Sequence, residues 1–314
     1  MTDQGEDWPT TFPAKLGAIR CATITCASLT SATDAYAEAL GFVVVESGTV
    51  SPDLAAHWRA SACAGAKFLL MQQPGTTGTY LRFVEDPEVI VPIPYTTLGW
   101  AAIEFSVNSS DATVAAAERI GFRVVGAAQE LTFSAGALRA GQVAGAFGEI
   151  LYFTEVRSQL ADYTLPVATI PIGPMFIVIA AVPTVAAAYD DYARRFGMTA
   201  KNAFDAEVPF IAAFQKRPLD TSFHVGCLEL VPESYVEVDE MGPGLPRRSR
   251  PDGRLPAGIA MISFASEFEL FGPSDVAGAT CPTGLLYAGR PSIVVAGLYG
   301  ELIEIIAAPS ASGA

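Results

Sequence analysis

The stretch Ile19–Val45, IRCATITCASLTSATDAYAEALGFVVV, decides the fold, because the chain carries its pattern more than once. It opens as an alternating strand. The apolar positions Ala32, Ala35, Tyr36, Ala39 and Leu40 then recur every three or four residues, which predicts a helix. Thr30 or Ser31 is the expected N-cap, and Gly41 stands where helices commonly end in a left-handed residue. Met175–Ala200, MFIVIAAVPTVAAAYDDYARRFGMTA, repeats the pattern: Tyr192 answers Tyr36, and Phe196-Gly197 answers Leu40-Gly41. Gly99–Val125 is a third strand–helix unit. Gly258–Phe264 opens a fourth, whose expected helix is interrupted by Phe271, Gly272 and Pro273.

The strands that close the units repeat as well. Val143–Phe153, VAGAFGEILYF, parallels Val295–Ile305, VAGLYGELIEI, and Gly78–Glu85, GTYLRFVE, parallels Glu233–Glu240, ESYVEVDE. Self-similarity in order and spacing is the mark of a repeated architecture. The expectation is an α+β protein of four tandem βαβββ modules, pairing into two curved-sheet halves. The halves are expected at 15–157 and 172–308, joined by a polar, proline-containing linker at 158–171.

Composition narrows the classes of function. A net charge of −14 disfavours nucleic acid as a partner, since phosphate binding draws on excess Lys and Arg. With 51% hydrophobic and 17% charged residues the chain is not of disordered type. No membrane span is expected: the most apolar run, Phe176–Tyr189, contains Pro183 and falls short of the roughly 20 residues a crossing helix needs. The first residues lack a basic start followed by an apolar run, so no secretory signal is expected. The cysteines Cys21, Cys26, Cys63, Cys227 and Cys281 are odd in number and form no C-x-x-C pair. That argues against a disulfide framework or thiolate zinc and for a reducing, cytoplasmic compartment. No phosphate loop, dinucleotide fingerprint or nucleophile elbow occurs in its required context.

With its strand–helix–Leu-Gly-Phe opening, its closing G-E-L-I-E-I and four units, the chain resembles the vicinal oxygen chelate superfamily, which includes glyoxalase I, extradiol dioxygenases and bleomycin-resistance proteins. The resemblance implies paired units curved around a cavity, with a metal held by first- and last-strand residues. The usual histidine falls at Cys21, Ala102, Ile177 and Met261, and the usual glutamate at Arg82, Tyr152, Glu237 and Glu304. Only two of these positions keep a carboxylate and none a histidine. The expectation is therefore a member without the usual metal site and without a cofactor.

Glu237 and Glu304 lie on apolar strands and are expected to share one pocket. Burial and mutual repulsion would raise both pKa values, as suits general acid–base chemistry. His224, in SFHVGCLEL, is the candidate proton shuttle. Arg82, Tyr152 and Glu104 are expected to meet in the first half, as a buried ion pair or an anion-binding pocket, with Cys21 facing that cavity. By strand alternation Thr23 and Thr25 share the face of Cys21, whereas Ala22, Ile24 and Cys26 face the helix. Arg247, Arg248, Arg250 and Arg254 cluster in one loop, expected to be solvated or to form a lid, and His57-Trp58-Arg59 is expected as a loop over the first cavity.

The resulting expectation is a metal-independent acid–base enzyme, of isomerase or lyase type, acting on a small, largely apolar, carbonyl- or hydroxyl-bearing metabolite. Glu304 would be the base, Glu237 the acid and His224 the shuttle. A non-catalytic binding or resistance protein is one alternative. An oxygenase or isomerase with an atypical divalent metal on Glu237, Glu304 and His224 is another. The expected partner is a small molecule, with a homodimer as a possible assembly.

Overall fold

The computed structural model describes residues 15–251, 253–266 and 279–308. The first unit comprises β1 (Leu16–Cys26), α1 (Leu29–Glu38), β2 (Val43–Thr49), a short α2 (Pro52–His57), β3 (Lys67–Gln72) and β4 (Tyr80–Glu85). The second comprises β5 (Gly99–Val107), α3 (Ser110–Arg119), β6 (Arg123–Glu130), β7 (Leu138–Ala144) and β8 (Ile150–Val156). The third has β9 (Ile172–Val182), α4 (Val185–Phe196), β10 (Thr199–Ala200), β11 (Phe204–Glu207), α5 (Pro209–Phe214), β12 (Ser222–Val231) and β13 (Ser234–Glu240). The fourth has β14 (Gly258–Ser266), β15 (Ser292–Ala296) and β16 (Leu302–Ile306). Its expected helix at Phe271–Pro273 lies outside the described residues.

The helices start and stop for local reasons. Ser28, rather than Thr30 or Ser31, caps α1 by accepting from the Ser31 amide at 3.4 Å. Ser109 does the same for α3. Each cap satisfies one of the amides a first helical turn leaves unpaired. At the far ends Gly41 and Gly197 take the left-handed conformation, with φ of 69° and 62°.

Strand pairing corrects the expected partnership of units. One seven-stranded sheet runs β15-β16-β14-β1-β4-β3-β2, so it joins the first unit to the fourth. The second sheet, with the path β10-β12-β13-β9-β5-β8-β7-β6, joins the second unit to the third. The seams are antiparallel, β1 on β14 and β5 on β9. Each sheet thus takes one unit from each half of the sequence. Repeat periodicity reveals how many units exist but carries no information on which ones pair.

One face of each sheet contributes to a common core that includes Ile24, Phe105, Val178 and Phe264, with Tyr36 and Tyr192 from the helices. The opposite faces carry two separate clusters, one around Trp58 and Met261 and one around Phe176 and Ile179. The alternation read from the sequence holds: Cys21 lies on the outer cluster's side, while Ala22, Ile24 and Cys26 lie in the shared core. The linker after β8 is no free tether. Leu165 packs into the second cluster, and the Gln159 side chain bonds both the amide and the carbonyl of Leu165.

Candidate functional sites on the two sheets

The unit pairing brings Arg82 and Glu304 together, since they hold matching last-strand positions in units one and four. It likewise brings together Tyr152 and Glu237 in units two and three. Two sites again result, but with exchanged members: Glu237 and Glu304, expected in one pocket, lie on different sheets, as do Arg82 and Tyr152.

On the first sheet, Arg82 stands on β4 beside Thr23 of β1, and Glu304 stands on β16 beside Ser263 of β14. Their side chains meet at 3.2 Å, with Arg82 only 2% and Glu304 0% exposed. Glu304 Oε2 accepts from Arg82 Nη2 and from the Ser263 hydroxyl at 2.5 Å. Its Oε1 accepts from the Tyr287 hydroxyl at 2.8 Å, from His57 Nε2 at 3.2 Å and from Trp58 Nε1 at 3.3 Å. Arg82 also donates to Thr23 Oγ1 and to Tyr287 Oη, and its guanidinium carbon lies 4.5 Å from the centroid of the Trp58 ring. Burial alone would push the Glu304 carboxyl up. Arg82 and the converging donors outweigh it and bring the pKa down to about 2.

Glu304 is therefore a carboxylate ionised at neutral pH with both oxygens bonded, not a base with a raised pKa. A general base needs a free lone pair and a pKa near its working pH. Cys21 lies close by, but burial pushes its thiol up to about 12, so it offers no thiolate.

His57 ends α2, whose start is set by the Ser51 cap and by Pro52 in its first turn. The expected loop over the first cavity is this short helix. Its imidazole touches Glu304 on one side and Thr280 Oγ1 on the other, at 2.8 Å. Beyond it opens a cavity of about 520 Å³ lined in part by Asp53, His57, Arg59, Thr280 and Cys281.

The arginine loop, expected to be solvated or to form a lid, is a set of structural clamps. Arg254 bonds Asp86 and Glu88, and Arg250 donates to the carbonyls of Trp58 and Arg59. Arg248 donates to the carbonyls of Ala257 and Ile259, and burial lowers its pKa to about 10. Arg247 donates to the Leu298 carbonyl.

On the second sheet, Glu104 of β5 lies beside Tyr152 of β8, and Glu237 of β13 lies opposite Cys227 of β12. β9 separates β5 from β13, and Glu104, Glu237 and Asp239 all project from one face of the sheet. Tyr95, from the segment before β5, reaches the same group. Arg82 is absent from this set, so the expected Arg82–Tyr152–Glu104 pocket does not form.

Among the described residues no salt bridge reaches these three carboxyls. Burial raises Glu104 to about 7, and the neighbouring Asp239 adds to the rise. Burial also raises Asp239 to about 7, although the Tyr95 hydroxyl and Glu237 nearby hold it down in part. Glu237 is pushed well above the ordinary range, first by burial and then by Asp239 and Glu104. Neither oxygen of Asp239 closes a hydrogen bond of normal geometry, nor do the hydroxyls of Tyr95 and Thr154. Buried polar atoms left unpaired in this number are exceptional and call for a partner. Glu237 and Tyr152 remain half-buried, so a small molecule can touch them.

His224 does not join either site. It lies on the opposite face of β12 from Cys227 and bonds Asp205 of β11 at 2.8 Å. Glu237, Glu304 and His224 therefore cannot form the atypical metal site that was the third expectation. The family's metal positions do not suit a metal in this chain. On the first sheet they are Cys21, Arg82, Met261 and Glu304, where a guanidinium already supplies the positive charge. On the second they are Ala102, Tyr152, Ile177 and Glu237, with one carboxylate among them. No group of three or more His, Cys, Asp or Glu residues among the described residues has metal-holding geometry.

Some site residues escaped the sequence reading. Asp239 was detectable, since it follows Glu237 by two positions and so shares its face. Tyr287, Ser263 and Thr280 carried no signal, because long-range packing alone brings them to Glu304 and His57.

No family model matches the chain, and no curated protein matches it. Solved structures do. Glyoxalase I from Zea mays superposes with a TM-score of 0.58 at 13% identity, covering 92% of each chain. A variant of that enzyme gives 0.60 at 12% identity, with the same coverage. A putative dioxygenase from Bacillus subtilis subsp. subtilis str. 168 gives 0.56 at 14% identity, over 94% of this chain and 86% of its own. The chain thus has the vicinal oxygen chelate fold. At these identities the likeness concerns the fold alone. No helix among the described residues is long and apolar enough to cross a membrane.

Proposed function

We propose that the protein is a metal-independent acid–base enzyme of isomerase or lyase type, working at the carboxyl cluster of the second sheet. The observation that carries this reading is the set Glu104, Glu237 and Asp239 on one buried face, with the Tyr95 and Tyr152 hydroxyls beside it and no counter-cation among the described residues. Three carboxyls so placed cannot all ionise near neutral pH, so the cluster holds protons and exchanges them. Groups whose environments push their pKa values apart divide into acid and base. Glu237, the most strongly raised, is the proton donor. Asp239, whose oxygens close no hydrogen bond of normal geometry and whose pKa is raised to about 7, is the base.

The apolar wall of Phe176, Ile177, Ile179 and Phe210 favours a small, largely apolar substrate. A tyrosine hydroxyl donates to its carbonyl or hydroxyl oxygen. Asp239 removes the proton on the adjacent carbon, and Glu237 returns one at another position or protonates a leaving group. Such proton transfer typically contributes about 10²–10⁴-fold to a rate.

The test uses a panel of small ketones, hydroxyketones and enones in D2O, followed by proton NMR. Enzyme-dependent loss of a carbon-bound proton signal is expected, unaffected by chelator and abolished in Asp239→Asn. A tightly bound compound recovered without exchange would instead assign the protein to sequestration.

A further inference from the structure

The residues around the first-sheet cavity form an arrangement that the acid–base reading leaves unused. Glu304 is ionised and its oxygens only accept, so the His57 Nε2 that faces it at 3.2 Å carries the hydrogen. In the neutral imidazole Nδ1 is then an acceptor, and the Thr280 hydroxyl 2.8 Å away donates to it. The three side chains make a hydroxyl–imidazole–carboxylate relay. Its carboxylate is the most buried member, and its hydroxyl belongs to an exposed residue at a cavity of about 520 Å³.

Each member is held from outside the relay. The Thr280 backbone is paired in both directions with Ser292 of β15, at 2.9 and 2.7 Å. His57 closes a capped helical turn. Glu304 is fixed by Arg82, Ser263, Tyr287 and Trp58. A nucleophile bonded to a base that a third group orients is the general pattern of an activated hydroxyl. The cavity volume falls within the range of small-molecule sites.

We infer that Thr280 is a nucleophile activated by His57 and Glu304, which takes acyl groups from small esters entering this cavity. In the first step the Thr280 Oγ–carbonyl carbon bond forms and the ester C–O bond breaks. The hydroxyl proton passes to His57 Nδ1 and from there to the departing alkoxide or phenolate. Water then attacks the carbonyl carbon of the Thr280 ester and gives a proton to His57 Nδ1; the acyl carbon–Thr280 Oγ bond breaks, His57 returns the proton to Thr280 Oγ, and the carboxylic acid leaves. The site is on the opposite sheet from the carboxyl cluster, so it stands or falls independently of the acid–base reading.

The probe is p-nitrophenyl acetate. The full-length protein is expected to release a burst of p-nitrophenolate and to carry an acetyl group on the peptide containing Thr280, read by mass spectrometry. Thr280→Ser keeps the adduct. Thr280→Val, isosteric and at an exposed position, folds normally and loses it. His57→Gln slows acylation by at least about a hundredfold, the usual share of a general base. An acetyl group found instead on Cys281, or on lysines to the same extent in Thr280→Val, overturns the inference. So does the absence of both burst and adduct.

Discussion

Glu304 keeps its negative charge in an enclosed site because five donors converge on its two oxygens and one of them is the Arg82 cation. Breaking a buried pair of this kind leaves an uncompensated charge, which typically costs about 3–5 kcal/mol. Arg82→Met is expected to lose stability of that order in urea denaturation. The double variant Arg82→Met with Glu304→Leu is expected to recover most of it, because two apolar side chains then fill the space of two charges. Full loss in both would mean that Arg82 stabilises the sheet through Thr23 and Trp58 rather than through its charge.

The two sites also respond to pH with opposite sign. Glu304 is lowered to about 2, so its contribution is present above its ordinary value near 4.5 and is lost as pH falls toward 2. Glu104 and Asp239 are raised to about 7. Their contribution is fully present below their ordinary values and is lost as pH rises through 7. Unfolding midpoints measured at pH 5 and pH 8 should therefore fall toward pH 8. The fall should be smaller in Glu104→Gln, which removes one of the competing carboxyls.

At the scale of elements, the repeated turns show what the repeat conserves physically. Glu149, in the turn between β7 and β8, accepts from the Tyr36 hydroxyl at 2.9 Å and from the Phe147 amide. Glu301, between β15 and β16, accepts from the Tyr192 hydroxyl at 2.8 Å and from the Tyr299 amide. Each helix is thus tied to a hairpin of the next unit, which belongs to the other sheet. Gly145 and Gly297 allow this, since a Cβ at either would collide with the folded-back carboxylate. Gly297→Ala is expected to cost about 1–3 kcal/mol, as overpacking does, read as a lowered melting temperature. Unchanged stability would show that the Glu301 side chain has another resting place.

These elements were also the most legible part of the sequence. Tyr36 with Tyr192, and the two G-E turns, are visible as matched motifs, and strand alternation assigns the faces of β1 correctly. The cap of α1 moved to Ser28 because several hydroxyl residues stand in a row there, and only backbone geometry chooses between them.

For the whole molecule, the decisive event is the antiparallel seam between β1 and β14, residues far apart in the chain. Local pattern cannot encode that choice. Pairing the units in order put Glu237 with Glu304 and Arg82 with Tyr152, and pairing them across the halves exchanges these partners. The chemistry follows the exchange: the arginine neutralises the first sheet's carboxylate, and among the described residues no cation pairs with the second sheet's carboxyls. His224 was misplaced for a simpler reason, since strand alternation puts it on the other face of β12 from Cys227 and Glu237.

The central claim is that the second sheet holds carboxyls that titrate near neutral pH. The direct measurement is a 13C NMR titration of protein labelled at its Asp and Glu carboxyl carbons, from pH 4 to 9. At least one resonance is expected to titrate near 7 in the wild type and to disappear in Asp239→Asn. If every Asp and Glu carboxyl has titrated by about pH 5, the cluster is not a proton-exchanging site and the account is contradicted.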